Sequence, residues 1–284
     1  MGSLLMSMGS WNTGRKYRRA RPAHEPPATT FPPCPPELFP CTCRTNPAMK
    51  HLLGFLCLAP TMALMGQDDA LLAGVTAMRK ADHSSATVAL DKAVADAPAN
   101  GRTWYYRAMN RMALGDNDGA MLDLDQVLRL DPRDVHALLR RAEVHQVRGD
   151  MDLASTDLYR VIGTTPTGPA AEHALFELGR MAVLRNDLPA ALGHYDRLVE
   201  LAADNASAWC ERGIVRSFVH DDDNAVADLE KALELAPDTD KAYGALAVVY
   251  FRQGREQEGC YALHRAHDLG DRSVEELLLL RCDR

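Results

Sequence analysis

Aromatic residues are scarce in this 284-residue chain, at 6%. β-branched residues are also sparse beside the abundant Ala and Leu, which disfavours strands and favours helix. Cysteines are few where they would matter. Cys34, Cys41 and Cys43 lie in a Pro-rich leader and Cys57 in an apolar segment, so only Cys210, Cys260 and Cys282 remain beyond residue 66. Three cysteines cannot hold a disulfide-framework fold together. No Gly-rich phosphate loop, no Gly-x-Ser-x-Gly and no His-Glu-x-x-His occurs, which removes the best-marked routes to nucleotide, hydrolase and zinc chemistry. The longest apolar run, from Leu52 to Met65, is broken by Pro60 and is shorter than the roughly 20 residues of a spanning helix.

Positive charge is missing from the body of the chain. The whole sequence carries a net −7, but residues 1–66 hold seven basic and two acidic side chains, leaving 25 basic and 37 acidic in 67–284, a net −12. A body so acidic repels phosphate backbones, so no nucleic-acid partner is expected.

The first 66 residues divide in two. Residues 1–48 are rich in Pro and Arg without apolar periodicity, and disorder is the expectation there. At Met49 the text changes to Lys50, an apolar run, the small residues Ala63 and Gly66, and then Gln67-Asp68-Asp69. Basic head, short apolar segment and small residue at the cut is the order of a secretory signal peptide. Residues 49–66 are therefore expected to be a signal, cut after Gly66 or after Ala63, with 1–48 a start-site artefact. The alternative is a signal anchor behind a disordered cytoplasmic tail, with membrane contact only through that uncleaved segment. Either way the protein is expected to be exported, periplasmic or secreted, at a bacterial cell envelope.

A repeated phrase fills the rest. Pro98, Pro132 and Pro166 are 34 apart, and Pro237 falls 71 further on, two periods plus three. Ala86, Ala120, Ala154, Ala191, Ala225 and Gly259 keep the same spacing, as do Leu90, Leu124, Leu158, Tyr195, Leu229 and Leu263, and also Ala93, Val127, Val161, Leu198, Ala232 and Ala266. All shift by three at one point, which places an insertion at 167–173. Each unit reads as two amphipathic helices with a turn between them, as at Gly115-Asp116, Gly149-Asp150, Asn186-Asp187 and Gly254-Arg255. Small residues stand eighth (Ala108, Ala142, Gly179, Gly213, Ala247) and twentieth, which lets the helices approach closely, while Trp104, Leu138, Leu175, Trp209 and Tyr243 stand fourth and fill the space beside them.

This pattern resembles the tetratricopeptide repeat. Six units fit: 67–100, 101–134, 135–168, 172–205, 206–239 and 240–273, followed by a closing helix in 274–284. The first unit departs most, with Ala70 at its fourth place and no Gly at its turn. The resemblance implies an all-α, right-handed superhelical solenoid, a concave groove that holds a protein or peptide partner, no chemistry of its own and no cofactor. Its groove places are the second, fifth, ninth and twelfth of each unit. Here they include Arg102, Tyr105, Met109, Met112, Leu139, Glu143, Phe176, Arg180, Ile214 and Phe251. The family's carboxylate clamp of Lys, Asn and Arg is absent, so chaperone-tail binding is disfavoured. Aromatic and Met side chains suit an apolar segment, and Arg102 and Arg180 could meet acidic groups. The other functions weighed are a cell-envelope assembly or chaperone-like factor and, last, an enzyme with an unmarked site.

Three smaller features complete the reading. The acidic run at 220–224 lacks the spacing of a calcium loop and reads as a turn whose Asp residues cap a helix beginning near Asn224. His264 and His267 lack a third ligand, so no metal is expected. Cys260 and Cys282 could pair and pin the closing helix. For the leader, N-terminal mapping of protein from its native host is expected to begin at or after Met49; any peptide within 1–48 overturns that.

Overall fold

The computed structural model describes residues 59–282; residues 1–58, with the leader and most of the expected signal, lie outside the described residues. Among those described, thirteen α-helices and one 3-10 turn follow in order, with no strand, so the chain is all-α as its composition implies. The helices come as six hairpins: α1 (Ala59–Arg79) with α2 (His83–Asp96), α3 (Gly101–Ala113) with α4 (Asn117–Leu130), α5 (Val135–Arg148) with α6 (Met151–Thr164), α7 (Pro169–Leu184) with α8 (Leu188–Leu201), α9 (Ala206–Phe218) with α10 (Asp222–Leu235), and α11 (Asp240–Arg252) with α12 (Glu256–Asp268). A 3-10 turn (Arg272–Val274) and the short α13 (Glu275–Arg281) close the chain.

Local chemistry sets the ends. Asp82, Asn100, Asp116, Asp134, Asp187 and Asn205 each precede a helix and accept a bond from a backbone N–H two or three residues on, a cap of about 1 kcal/mol. Inside every hairpin one residue turns left-handed: Ala81, Gly115, Gly149, Asn186, His220 and Gly254 all have φ between 57° and 84°. The turn conformation is thus kept even where Ala81 and His220 must adopt it at a steric cost that Gly avoids.

Three boundaries differ from the sequence reading. α1 starts at Ala59, eight residues before the expected first unit, and runs unbroken through both candidate cut positions; Pro60 is tolerated in its first turn, where no internal N–H bond is lost. The three extra residues near 167–173 become helix. α7 has 16 residues where α5 has 14, and it opens on Pro169 after Gly168. The helix expected near Asn224 starts instead at Asp222, and Asp221 does not cap its backbone. Asp221 accepts from the Asn224 side chain at 2.8 Å, Asp222 pairs with Arg252, and Asp223 accepts from Gln253 at 3.1 Å. Asp222 and Asp223 thus tie α10 to the next hairpin, while Asp221 stays within its own.

The core runs along the inside of the hairpins. Leu90, Leu124, Leu158, Tyr195, Leu229 and Leu263, all at the twenty-fourth place, are fully buried. Each points at the eighth place on the partner helix. A Cβ added at Gly179 would stand 2.7 Å from the Tyr195 ring, and one at Gly259 2.5 Å from Phe251. Gly74 and Gly213 approach Leu90 and Leu229 just as closely, at 2.6 and 2.8 Å, so glycine marks the tightest contacts whatever residue faces it.

A second, charged device links neighbouring hairpins. Asp123, Asp157 and Asp228, at place twenty-three, are buried carboxylates. Each accepts two bonds from the Arg at place seven of its own unit: Arg107 at 2.9 and 2.7 Å, Arg141 at 2.7 and 2.7 Å, and Arg212 at 2.7 and 2.7 Å. The same guanidinium reaches back to the preceding hairpin, to Asp91, Asp125 or Asp196. Arg107 and Arg212 also lie over Trp104 and Trp209, 4.9 and 4.8 Å from the ring centroids. The two indole N–H groups in turn donate to the carbonyls of Pro98 and Ala203, the last turn of the unit before. The fourth and sixth units put Leu178 with His194 and Leu246 with Ala262 at these two places, so the fold also accepts an uncharged version.

At the C-terminal end, Val274 and Leu278 pack into the core of the last hairpin. Cys282 is joined to Cys260 of α12, with Cα atoms 5.5 Å apart.

Two outcomes are expected in denaturant titrations. Asp157→Ala strands a half-buried Arg141 and should cost about 3–5 kcal/mol, whereas Arg141→Leu combined with Asp157→Ala, the pairing of the sixth unit, should recover most of it. Cys282→Ser should cost about 3 kcal/mol, the chain-entropy value for a loop of this length, and reduction should add two hydrogens to the intact mass; free thiols in protein from the native host would exclude the bond.

Candidate functional site

The first helix of each hairpin carries the places at which a partner could be held. Between α5 and α7 their side chains enclose a pocket of about 210 Å³, lined by Leu139, Arg140, Ala142, Glu143, Gln146, Leu158, His173, Glu177 and Arg180. Leu139 and Leu158 form an apolar floor. The rim is charged and ordered. Arg140 donates to Glu143 at 2.8 Å, and across the pocket Arg180 donates to Glu177 at 2.6 Å. One helix therefore reads Arg then Glu, and its neighbour reads Glu then Arg, at the same two places. Gln146 bridges them, donating to Glu177 at 3.1 Å and accepting from Arg180 at 3.3 Å. Burial pulls the Arg140 guanidinium down, but its interactions with Glu143 and Tyr105 outweigh that and leave its pKa raised. The rim is balanced in charge at neutral pH and offers both donors and acceptors.

The residues singled out from the sequence fall into three groups. Leu139, Glu143 and Arg180 meet in this pocket. Tyr105, Met112 and Phe176 are half-buried walls that pack against the core. Tyr105 lies edge-on to His136 at 6.4 Å, and Phe176 edge-on to Tyr195 at 6.1 Å. Met109 is half-buried and Arg102 exposed on α3, outside the pocket lining. Phe251 is engaged internally, against the Gly259 notch and under Arg281 at 4.7 Å. Cys210, at a groove place by number, is buried, and its thiol is pushed up to about 12 by desolvation and then by Glu211. Tyr195 is buried with no hydrogen-bond partner for its hydroxyl, and desolvation raises its pKa.

Place six was missed. Arg140 and Glu177 stand there, three residues before place nine, so on a helix they share its face. That spacing was available in the sequence. The histidine pair does not converge: His267 faces Arg272 and Glu275 at 2.7 and 3.5 Å. Among the described residues no three His, Cys, Asp or Glu side chains gather as metal ligands.

A family model for the tetratricopeptide repeat matches residues 107–169, 166–206 and 221–268, more than half of the chain. The chain is 33% identical over 88 residues to the PEX5-related protein of Homo sapiens, a match covering 31% of this chain and 14% of that one. It is 26% identical over 100 residues to the small glutamine-rich tetratricopeptide repeat-containing protein 2 of Saccharomyces cerevisiae, covering 35% and 29%. The match thus spans less than a third of either relative. Among solved structures, Pseudomonas aeruginosa pilF superposes with a TM-score of 0.65 at 13% identity, over 77% of this chain and 99% of that one. YrrB, described as a TPR protein with an unusual peptide-binding site, does so with 0.56 at 18%, over 68% and 97%. At such identities these likenesses speak for the fold.

Proposed function

Because this chain belongs to the tetratricopeptide repeat family, whose members mediate protein–protein interaction and are generally non-catalytic, we propose that it is a scaffold holding a protein or peptide segment along the first helices of its units, with Leu139 and Arg180 at the centre. The pocket between α5 and α7 carries this reading. Its apolar floor suits one aliphatic or aromatic side chain of the partner. Its paired rim suits the partner's backbone, since every N–H and C=O entering it finds an opposite number. Tyr105, Met109 and Met112 extend the same helix face towards the N-terminal units, with Arg102 at its edge to meet an acidic group.

We place the protein outside the cytoplasm. The signal-like order of residues 49–66 supports this, and so does the Cys260–Cys282 bond, which an oxidising compartment preserves. An accessory role in envelope assembly is the alternative within this reading; an enzymatic one is disfavoured by the family, whose members are generally non-catalytic.

Cross-linking in the native host followed by mass spectrometry identifies the partner, and a synthetic segment from it then allows titration. Arg180→Ala and Tyr105→Ala should each weaken that segment by roughly tenfold, Arg180→Ala with little change in melting and Tyr105→Ala with some loss of it, because Tyr105 packs against the core. Phe176→Ala should lower melting as well, because it packs on Tyr195. Unchanged affinity in both Arg180→Ala and Tyr105→Ala would remove the groove from the account.

A further inference from the structure

The opposite side of the stack carries a second pocket, of about 320 Å³, between the second helices of the second and third units. It is lined by Asp125, Leu128 and Arg129 of α4, Arg141 of α5 and Arg160 of α6. Three guanidiniums at one cavity stand out in a body that is net −12. Arg141 is committed to Asp157 and Asp125. Arg160 donates to the Pro132 carbonyl at 2.8 Å and lies 3.5 Å from Asp157. Arg129 is exposed, and its guanidinium makes no hydrogen bond or ion pair among the described residues.

The other unit boundaries serve as internal controls. At the first, the residue equivalent to Arg129 is Ala95; at the third it is Gly163, at the fourth Glu200 and at the fifth Glu234. At the first and fourth boundaries the two buried-side acids are balanced by two Arg: Arg107 and Arg111 with Asp123 and Asp91, and Arg212 and Arg216 with Asp228 and Asp196. At the second boundary the place of Arg111 is taken by His145, and Arg160 supplies the second cation instead. With Asp125 and Asp157 so balanced by Arg141 and Arg160, Arg129 is one positive charge in excess, at the mouth of a cavity that already holds two more guanidinium forks.

We propose that this pocket is a carboxylate-binding site, distinct from the groove, whose ligand places one anionic group between Arg129 and Arg160. One carboxylate brings the local charge to zero, and the planar forks of the two Arg match its two oxygens. A doubly charged group would overshoot that balance beside Asp125. The site would thus take an acidic side chain of a protein segment or a free small carboxylic acid.

The test is fluorescence anisotropy of a labelled hexaglutamate peptide with the whole protein at low ionic strength, where screening is weak, with unlabelled glutarate as competitor. Arg129→Ala should weaken the peptide roughly tenfold, the loss of one charged hydrogen-bonding group, and Arg129→Glu should abolish binding. Both variants should melt like the parent, since Arg129 holds nothing in place. Arg197→Ala, an exposed Arg on α8 that lines neither pocket, should leave the affinity unchanged. Displacement of the peptide by glutarate assigns the site to small acids as well; failure of glutarate to compete assigns it to acidic protein segments. Peptide binding that survives Arg129→Glu, or that falls as much with Arg197→Ala as with Arg129→Ala, overturns the proposal, and neither result bears on whether the groove holds its own partner.

Discussion

Two helices in a hairpin can close on each other only where side chains are nearly absent, and this stack depends on that condition being met once per helix. The twentieth place is Ala or Gly in every unit, and its alanines are fully buried. The eighth place is likewise Ala or Gly, facing a buried Leu or Tyr. The closest approaches fall on glycine: Gly74 against Leu90, Gly179 against Tyr195, Gly213 against Leu229 and Gly259 against Phe251. An interior this tightly packed resists even a methyl group. It also fixes the rest, since the distance between helices within a hairpin sets which side chains of the first helix are left to face outward and across to the next unit.

Much of this was readable from residue identity, because small and large residues announce their packing by size. The Ala, Leu and Pro series carried the period, and the three-residue shift located the insertion, although not that Pro169 would make it helical. Charged residues gave no such signal. Arg107, Arg141 and Arg212 repeat at the same spacing as the alanines, as do Asp123, Asp157 and Asp228, yet a charged residue is read by default as solvated surface. Only the folded arrangement shows the carboxylates buried and each Arg spanning two hairpins. The start of α10 was misplaced for a related reason. A run of three Asp offers several equivalent caps, and two of the three, Asp222 and Asp223, are engaged by Arg252 and Gln253 from thirty residues away. The candidate groove was legible in part: its helix face followed from the family resemblance, but the pairing of Arg140 with Glu143 opposite Glu177 with Arg180 depends on the register of two neighbouring helices.

The stack thus uses charge in two ways. Buried Arg–Asp pairs are satisfied on all sides and bind hairpin to hairpin, and because their partners are fixed they add specificity of register more than net stability. Around the α5–α7 pocket, Arg140 and Glu143 make a single exposed contact within one helix, and Arg180 with Glu177 is tied to the neighbouring helix only through Gln146. Such pairs contribute little to folding, so exchanging them for a partner's polar groups costs the scaffold little. The same side-chain types are structural at place seven and available at places six and nine, and depth alone separates the two roles.

The covalent bond between Cys260 and Cys282 gives this repeated architecture a direction. In a linear array each unit is stabilised only by its neighbours, so both ends are prone to fray. Here the last hairpin is covered by α13 and locked to it by the disulfide, and among the described residues the first hairpin is held by a core of Ala70, Leu71, Ala86, Leu90 and Ala93 with a turn strained at Ala81. Fraying from the C-terminal end is therefore opposed by a covalent tie, so the last hairpin and α13 open together or not at all.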